Sequence, residues 1–458
     1  MTARPLPVAL LLAACAGAEE SPGVCADYVP EAWDPLLEDD PRVDEASAVW
    51  VTTGEGAIDA AATACAAPPC LGLAGPVSAS TTFRVNRGIA HRLVGTLVSD
   101  VPVDLLVEQD TTQGTTRPLL RVTYPAGTTA LAETFDLTVA GPDIRVAFTL
   151  ATAGTATLDG FAVLGERWAA TDAAPTGTVR LGVLVHLEDE PFFDVDAAAW
   201  ERRARVIEGL SATLSGRGAA LGIQADASFI RGAGVWDPAW VDARTAEGAG
   251  WSVHIHDESD AAAVEQATRD GRVALREAGV TTTDLNGGFL TGDWSGAAAA
   301  GFTSLTAFKD PETQLGLPRV QLQPWLPADG ATAADPEAFL AHDPAGPLVY
   351  LPGHSLREAD HARFPAAAAN VMTQVLAHAH PDRVNTWYFV LHVDGFGAAA
   401  DDPAALDAYL AEGLADDLAA YDTFLAALAP HVASGAVVFD TPGGMADAWY
   451  ARYACPTR

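Results

Sequence analysis

The chain changes its hydrophobic period once, near residue 170, and that change limits what it can fold into more than any other feature. Before it, short apolar–polar alternations are separated by turn residues: Leu93–Val98, Val103–Val107, Leu119–Thr123, Thr134–Val139 and Ile144–Leu150 each read as a half-buried strand. Short strands at intervals of roughly 10–15 residues predict an antiparallel β-sandwich over 46–170. After a linker at 165–177, continuous apolar runs alternate with Ala-rich stretches of helical period. Val179–Val185 has the unbroken apolar character of a buried parallel strand. Further strands are predicted at Ala220–Ala225, Trp251–His256, Thr303–Phe308, Leu348–Leu351, Thr386–Leu391 and Ala436–Asp440, with helices at Ala197–Gly216, Pro238–Glu247 and Asp260–Ala278. Such β–α alternation over 178–458 predicts a barrel or a doubly wound sheet, so the chain is multidomain. Either α/β fold places its chemistry at the C-terminal ends of the strands.

The final strand of the first region, Ala156–Leu164, resembles the closing strand of galactose-binding-like jelly rolls, which include many carbohydrate-binding modules. A purely structural sandwich is the equal alternative.

At the N-terminus, Arg4, the apolar Val8–Leu12 and then Leu12-Ala13-Ala14-Cys15 resemble the lipobox of bacterial lipoproteins. That resemblance implies a signal peptide over 1–15 and a lipid anchor on Cys15, with the protein held at the cell envelope: outer membrane, periplasmic face or cell surface. The apolar run is too short to span a bilayer. Residues 16–45 are acidic and contain Pro (Glu19-Glu20, Glu38-Asp39-Asp40-Pro41), and they read as a flexible tether. Four cysteines remain: Cys25, Cys65, Cys70 and Cys455. In an exported chain an even number points to disulfides. Cys65 and Cys70 bracket a short loop and can close locally, which leaves Cys25 for Cys455, although three pairings are open.

A formal net charge of −34 argues against nucleic acid, because phosphate binding releases counterions through Lys and Arg.

Polar residues gather where the α/β rule puts them. His186-Leu187-Glu188-Asp189-Glu190 follows the first strand, His254-Ile255-His256-Asp257-Glu258 ends another, and Asn286-Gly287-Gly288 with Asp293-Trp294 follows a helix. Pro352-Gly353-His354-Ser355 and His392-Val393-Asp394-Gly395 complete the set. His254 and His256, two apart on a strand, project from one face. With a carboxylate from a neighbouring strand end they suit a divalent ion, Zn²⁺ first.

In the order and placement of these motifs, 178–445 resembles the polysaccharide deacetylase superfamily of carbohydrate esterases. The resemblance implies an irregular (β/α)7 barrel and a glycan or other acylated carbohydrate as substrate. By position it implies Glu188 as catalytic base, Asp189, His254 and His256 as metal ligands, and His392 as general acid. Asn286 falls where the family carries the arginine of an Arg-x-Gly-Gly-like turn. Glu188 departs from the family's Asp, the histidines are spaced His-x-His rather than His-x-x-x-His, and Asn286 is not Arg.

Other residues are candidates for the cleft. Trp236, Trp294 and Trp325 fall beside strand ends and are suited to stack on sugar rings. His354 follows a turn-forming Pro-Gly, and Asp394 is placed to orient His392 or reach a metal. His186 alternates with Leu187 and is expected to face away into the barrel wall in a structural role. His342, His361, His378, His380 and His431 have no partner legible in the sequence. Ser211 and Ser355 lack a nucleophile elbow, and there is no P-loop or dinucleotide fingerprint. Two other functions fit the same residues: a non-catalytic carbohydrate-binding lipoprotein on a degenerate barrel, and a glycoside hydrolase pairing Glu188 with Asp257 or Asp394.

Overall fold

The computed structural model describes residues 25–33, 50–63, 65, 70–84, 90–110, 116–136, 143–165, 177–187, 193–255, 261–280, 286–289, 294–308, 319–331, 335–355, 364–393, 396, 403–453 and 455. Cys15, Glu188, Asp189, His256, Asp257, His361 and Asp394 lie outside them.

A two-residue strand, β1 (Ala32–Trp33), precedes the sandwich strands. These are β2 (Val51–Gly54), β3 (Ala57–Ala62), β4 (Cys70–Ala74), β5 (Val77–Arg84), β6 (Ala90–Ser99), β7 (Val103–Asp110), β8 (Thr116–Tyr124), β9 (Gly127–Asp136), β10 (Asp143–Leu150) and β11 (Thr155–Gly165). They form two five-stranded antiparallel sheets, ordered β2-β5-β10-β7-β8 and β3-β4-β11-β6-β9. Alternation decides which side of each strand is buried. Val103, Leu105 and Val107 of β7 and Ile144, Val146 and Phe148 of β10 share one core with Leu93 and Leu97 of β6 and Leu131 of β9. A bulge between Asp159 and Ala162 in β11 is made by Gly160 at φ 60°, opposite Gly95, whose missing Cβ lets the backbone of Phe161 approach. Cys65 is disulfide-bonded to Cys70, with Cα atoms 6.4 Å apart.

The second domain has a separate core and a parallel sheet. Its strands are β12 (Val179–His186), β13 (Leu221–Ala225), β14 (Gly250–Ile255), β15 (Asn286–Phe289), β16 (Ser304–Phe308), β18 (Val349–Tyr350), β19 (His354–Ser355), β20 (Asn385–His392) and β21 (Val437–Phe439). A short β17 (Val320–Gln321) stands apart from this sheet. The order is β18-β16-β15-β14-β13-β12-β20-β19, with β21 beside the first residues of β12. The two ends of that order are one stretch of chain: only Leu351-Pro352-Gly353 separates β18, paired with β16, from β19, paired with β20.

The sheet is strongly curved. The Gln224 amide of β13 donates to the Thr306 hydroxyl of β16 at 2.6 Å, although β14 and β15 lie between them. In a flat sheet three strand steps would separate those residues by about 14 Å. Among the helices of this domain are α1 (Ala197–Ser215), whose first turn is capped by the Asp196 carboxylate at 3.0 Å, α2 (Ala227–Trp236), capped by Asp226 at 2.6 Å, and α3 (Ala261–Glu277).

Residues 25–33 depart from the expected free tether over 16–45, because they are docked on the second domain. Cys25 is disulfide-bonded to Cys455 with Cα atoms 4.9 Å apart. β1 pairs antiparallel with β17, and the Tyr28 hydroxyl donates to the Pro324 carbonyl at 2.7 Å. Apolar rings embedded in the acidic stretch drive the docking: Tyr28 packs against Trp449, Tyr453 and His342, and Trp33 stacks on His378 at 4.5 Å. The Gln323 carbonyl oxygen accepts from Glu31 N–H at 2.8 Å, and the Gln323 amide donates to Asn385 at 3.1 Å. Asn385, fully buried, donates in turn to the carbonyls of Thr178, His380 and Arg383. The sandwich is therefore an insertion, in chain order, between this clasp and the rest of its domain.

The clasp carries a pH dependence. His342 accepts from Leu326 N–H through Nδ1 at 3.1 Å and holds the Cys25 carbonyl through Nε2 at 2.7 Å, a pattern that requires a neutral ring with its proton on Nε2. Burial pushes the His342 pKa below the ordinary histidine value, and the bond to Cys25 and the charge of Asp343 only partly oppose it. A folded pKa below the unfolded one gives stability that is complete above the unfolded value and is lost as the pH falls through that value toward the folded one. His342→Asn should be less stable than wild type at pH about 8, with the gap closing below about 6.5. Comparing the two proteins by thermal unfolding across that range cancels the effect of the chain's large net charge, and a constant gap would refute the assignment.

A second expectation concerns the joint between β18 and β19. A Cβ on Gly353 would sit 2.4 Å from three ring atoms of Tyr388, which is buried and shares a hydrogen bond with the buried Tyr350 hydroxyl. Gly353→Ala should destabilise the protein by about 1–3 kcal/mol, read from the denaturant midpoint.

Candidate functional site

Three histidines meet at the C-terminal ends of the parallel strands. His186 is the last residue of β12, His392 the last of β20, and His254 the last but one of β14. His186 and His392 are register neighbours on adjacent strands. The His186 ring lies 4.3 Å from that of His254, tilted by 34°, and 5.2 Å from that of His392, edge to face at 88°. His186 and His254 are 2% and 3% exposed, and His392 is half-buried.

His186 therefore does not face away into a wall, as its alternation with Leu187 suggests; Leu187 is buried too, and its N–H continues the ladder to Gln224 O at 3.0 Å. The reason is curvature. At the end of β12 both faces of the strand are covered, so alternation chooses between two buried environments. Residue 186 takes the polar one, with Gln224 and His254, each last but one in its strand, and with Ser252 and Thr306 in mid-strand, all buried.

Asn286-Gly287-Gly288-Phe289 is not a turn. It forms β15, with Gly287 paired to Val253 and Gly288 to His254. The strand beside His254 therefore presents bare backbone at two successive positions. His354 begins β19, level with Phe389 of β20.

The tryptophans separate sharply. Trp294 and Trp325 are both 0% exposed and belong to the core rather than to a cleft. The Trp325 indole donates to the Phe339 carbonyl at 2.7 Å and packs on Tyr350, so its polar edge and its faces are engaged inside the domain. Trp236, the last residue of α2, is 40% exposed. Its Nε1–H donates to Phe193 O at 2.9 Å, which fixes the ring against the chain that leads from β12 into α1, and Val195 and Val235 are exposed as well.

Among the described residues no three His, Cys, Asp or Glu side chains gather closely enough to hold a metal ion. Of the expected ligands only His254 is described. Its type and surroundings fit a first-row divalent ion: a buried imidazole at a strand end, in a polar layer with two further imidazoles. No helix among the described residues is long and apolar enough to cross a membrane.

No protein-family profile matches the sequence, and no curated protein matches it. Solved structures resemble parts of it. A Mycobacterium smegmatis protein assigned as a polysaccharide deacetylase is 14% identical over 62% of this chain and 96% of its own, with a TM-score of 0.38. A xylan-binding domain from Paenibacillus barcinonensis is 15% identical over 30% of this chain and 99% of its own, with a TM-score of 0.26. The enzymatically active domain of a tailspike protein from bacteriophage CBA120 is 12% identical with a TM-score of 0.25, and the match spans 28% of this chain and 21% of that one.

Proposed function

We propose that the chain is a metal-dependent hydrolase that removes acyl groups, N-acetyl groups first, from a glycan at the cell envelope. The observation that carries this reading is the gathering of His186, His254 and His392, from three strands, at the end of a parallel sheet where such folds hold their chemistry. We read the sheet as an irregular seven-stranded β/α barrel. The Gln224–Thr306 bond and the sharing of one stretch between the two ends of the strand order support that reading.

The residues divide the work. Asp189, His254 and His256 would hold a divalent ion, Zn²⁺ first, and that ion would supply Lewis-acid polarisation of the acyl carbonyl. Glu188 would take a proton from the attacking water. His392, edge to face with His186, would give one to the departing amine or alcohol. Gly287 and Gly288, paired beside Val253 and His254, carry no side chain that would stand between a substrate and the backbone.

We assign the sugar contact to Trp236, a 40% exposed indole held by its Nε1–H bond to Phe193 O. In the sandwich, Trp50, Tyr124, Phe135, Phe148 and Phe161 are all buried and present no such ring. An acyl anchor on Cys15 would hold the body close to the bilayer. Only residues 16–24 separate Cys15 from the docked Cys25, a reach of at most about 35 Å.

Purified protein should contain about one divalent ion per chain, and the His254→Ala/His256→Ala double variant should lose it, as measured by elemental analysis. Acetate release from an acetylated oligosaccharide should fall by about 100-fold or more in His392→Ala with the metal retained. Metal-free wild-type protein, or full activity in His392→Ala, would remove the hydrolase reading. On the same substrate Trp236→Ala should raise KM by about two- to tenfold at nearly unchanged kcat, whereas Trp236→Phe stays near wild type. A fall in kcat with KM unchanged would place the indole outside the sugar-binding surface.

A further inference from the structure

We infer that His186 is a positioning residue that sets the orientations of His254 and His392 relative to one another; this rests on the reading of those two as metal ligand and general acid. The two rings come from strands that do not pair. In the order β14-β13-β12-β20, His254 stands on β14 and His392 on β20. The imidazole of His186, on β12, touches both: it lies against the His254 ring at a 34° tilt and meets the His392 ring edge to face. It is thus the physical link between the group that would hold the metal and the group that would protonate the leaving group.

Its burial argues that the link has a purpose. β12 is otherwise apolar from Leu181 to Val185, and the strand would pack more cheaply with another aliphatic side chain at its end than with a 2% exposed imidazole. A flat ring held on two sides fixes a direction that an aliphatic chain of similar volume does not. Groups that orient a metal-binding histidine change metal affinity by roughly 10–100-fold when removed. The amino-acid pattern around 186 gives no hint of this role, because it depends on β14 and β20 being brought to β12 by the curvature of the sheet.

The test uses the full chain, Co²⁺ as a probe of coordination geometry, and three variants. His186→Ala removes the ring. His186→Leu fills its volume without a flat face and keeps the question answerable if the alanine variant does not fold. His186→Phe restores a ring. Co²⁺ affinity should fall by about tenfold or more in His186→Ala and His186→Leu, with a changed visible spectrum, and should return to within about threefold of wild type in His186→Phe. At saturating Co²⁺, kcat on the acetylated oligosaccharide should drop in the leucine variant and recover in the phenylalanine one, while the two variants unfold at similar temperatures. Wild-type affinity and spectrum in His186→Leu would overturn the inference, as would equal loss in the leucine and phenylalanine variants, which would make the imidazole nitrogen the essential element. If Co²⁺ binds wild type and is lost in His254→Ala while His186→Leu binds normally, only this inference fails. Absence of Co²⁺ binding by wild type would overturn both it and the hydrolase reading.

Discussion

The curvature of the parallel sheet is the constraint on which the candidate site depends. A flat arrangement of β12 to β16 would leave Gln224 and Thr306 about 14 Å apart, yet they share a hydrogen bond. The same bending brings residues of β12, β14 and β20 into one layer and joins the two ends of the strand order through residues 349–355. In the same sheet Leu184, Tyr350 and Tyr388 are buried, with Gly353 giving way to the Tyr388 ring. Toward the strand ends His186, Gln224 and His254 are buried polar side chains. Apolar burial stabilises the body of the sheet, and the buried polar groups at the strand ends cost desolvation that their contacts offset.

Much of this architecture is legible in the sequence because each domain obeys a single period. The strands expected at Val179–Val185, Ala220–Ala225, Trp251–His256 and Thr386–Leu391 are found within about one residue of their ends, as are the helices at Ala197–Gly216 and Asp260–Ala278. Both disulfides take the pairing that a short local loop leaves over. What escapes the sequence are elements whose identity comes from their neighbours. β15 is Asn-Gly-Gly-Phe, a poor strand by propensity, and exists because Val253 and His254 on one side and β16 on the other supply its ladder. β2 to β5 are rich in Ala, Ser and Thr, so their alternation is faint. Helix α2 carried a readable signal, Asp226 three residues before the amide of Phe229 that it caps.

The candidate site follows the same division. That histidines would stand at strand ends is a statement about chain position, and His254 and His392 are where it places them. Which face His186 presents, and which of three tryptophans stays exposed, depends on the third dimension. Trp294 and Trp325 are hydrophobic residues next to strand ends in sequence, and the domain simply closes over them. Trp236 remains half in solvent because it ends its helix, tied by a single hydrogen bond to a backbone carbonyl. The docking of residues 25–33 was equally hidden. An acidic, proline-containing stretch reads as solvated chain until Tyr28 and Trp33 are seen to have rings waiting for them.

The clasp and the histidine layer stand at opposite ends of one strand. Glu31 is bonded to Gln323, and Gln323 to Asn385, the first residue of β20. His392, the last residue of the same strand, stands at its other end, about 23 Å away along an extended backbone. The polar layer and the docked N-terminal segment therefore occupy opposite ends of the parallel sheet.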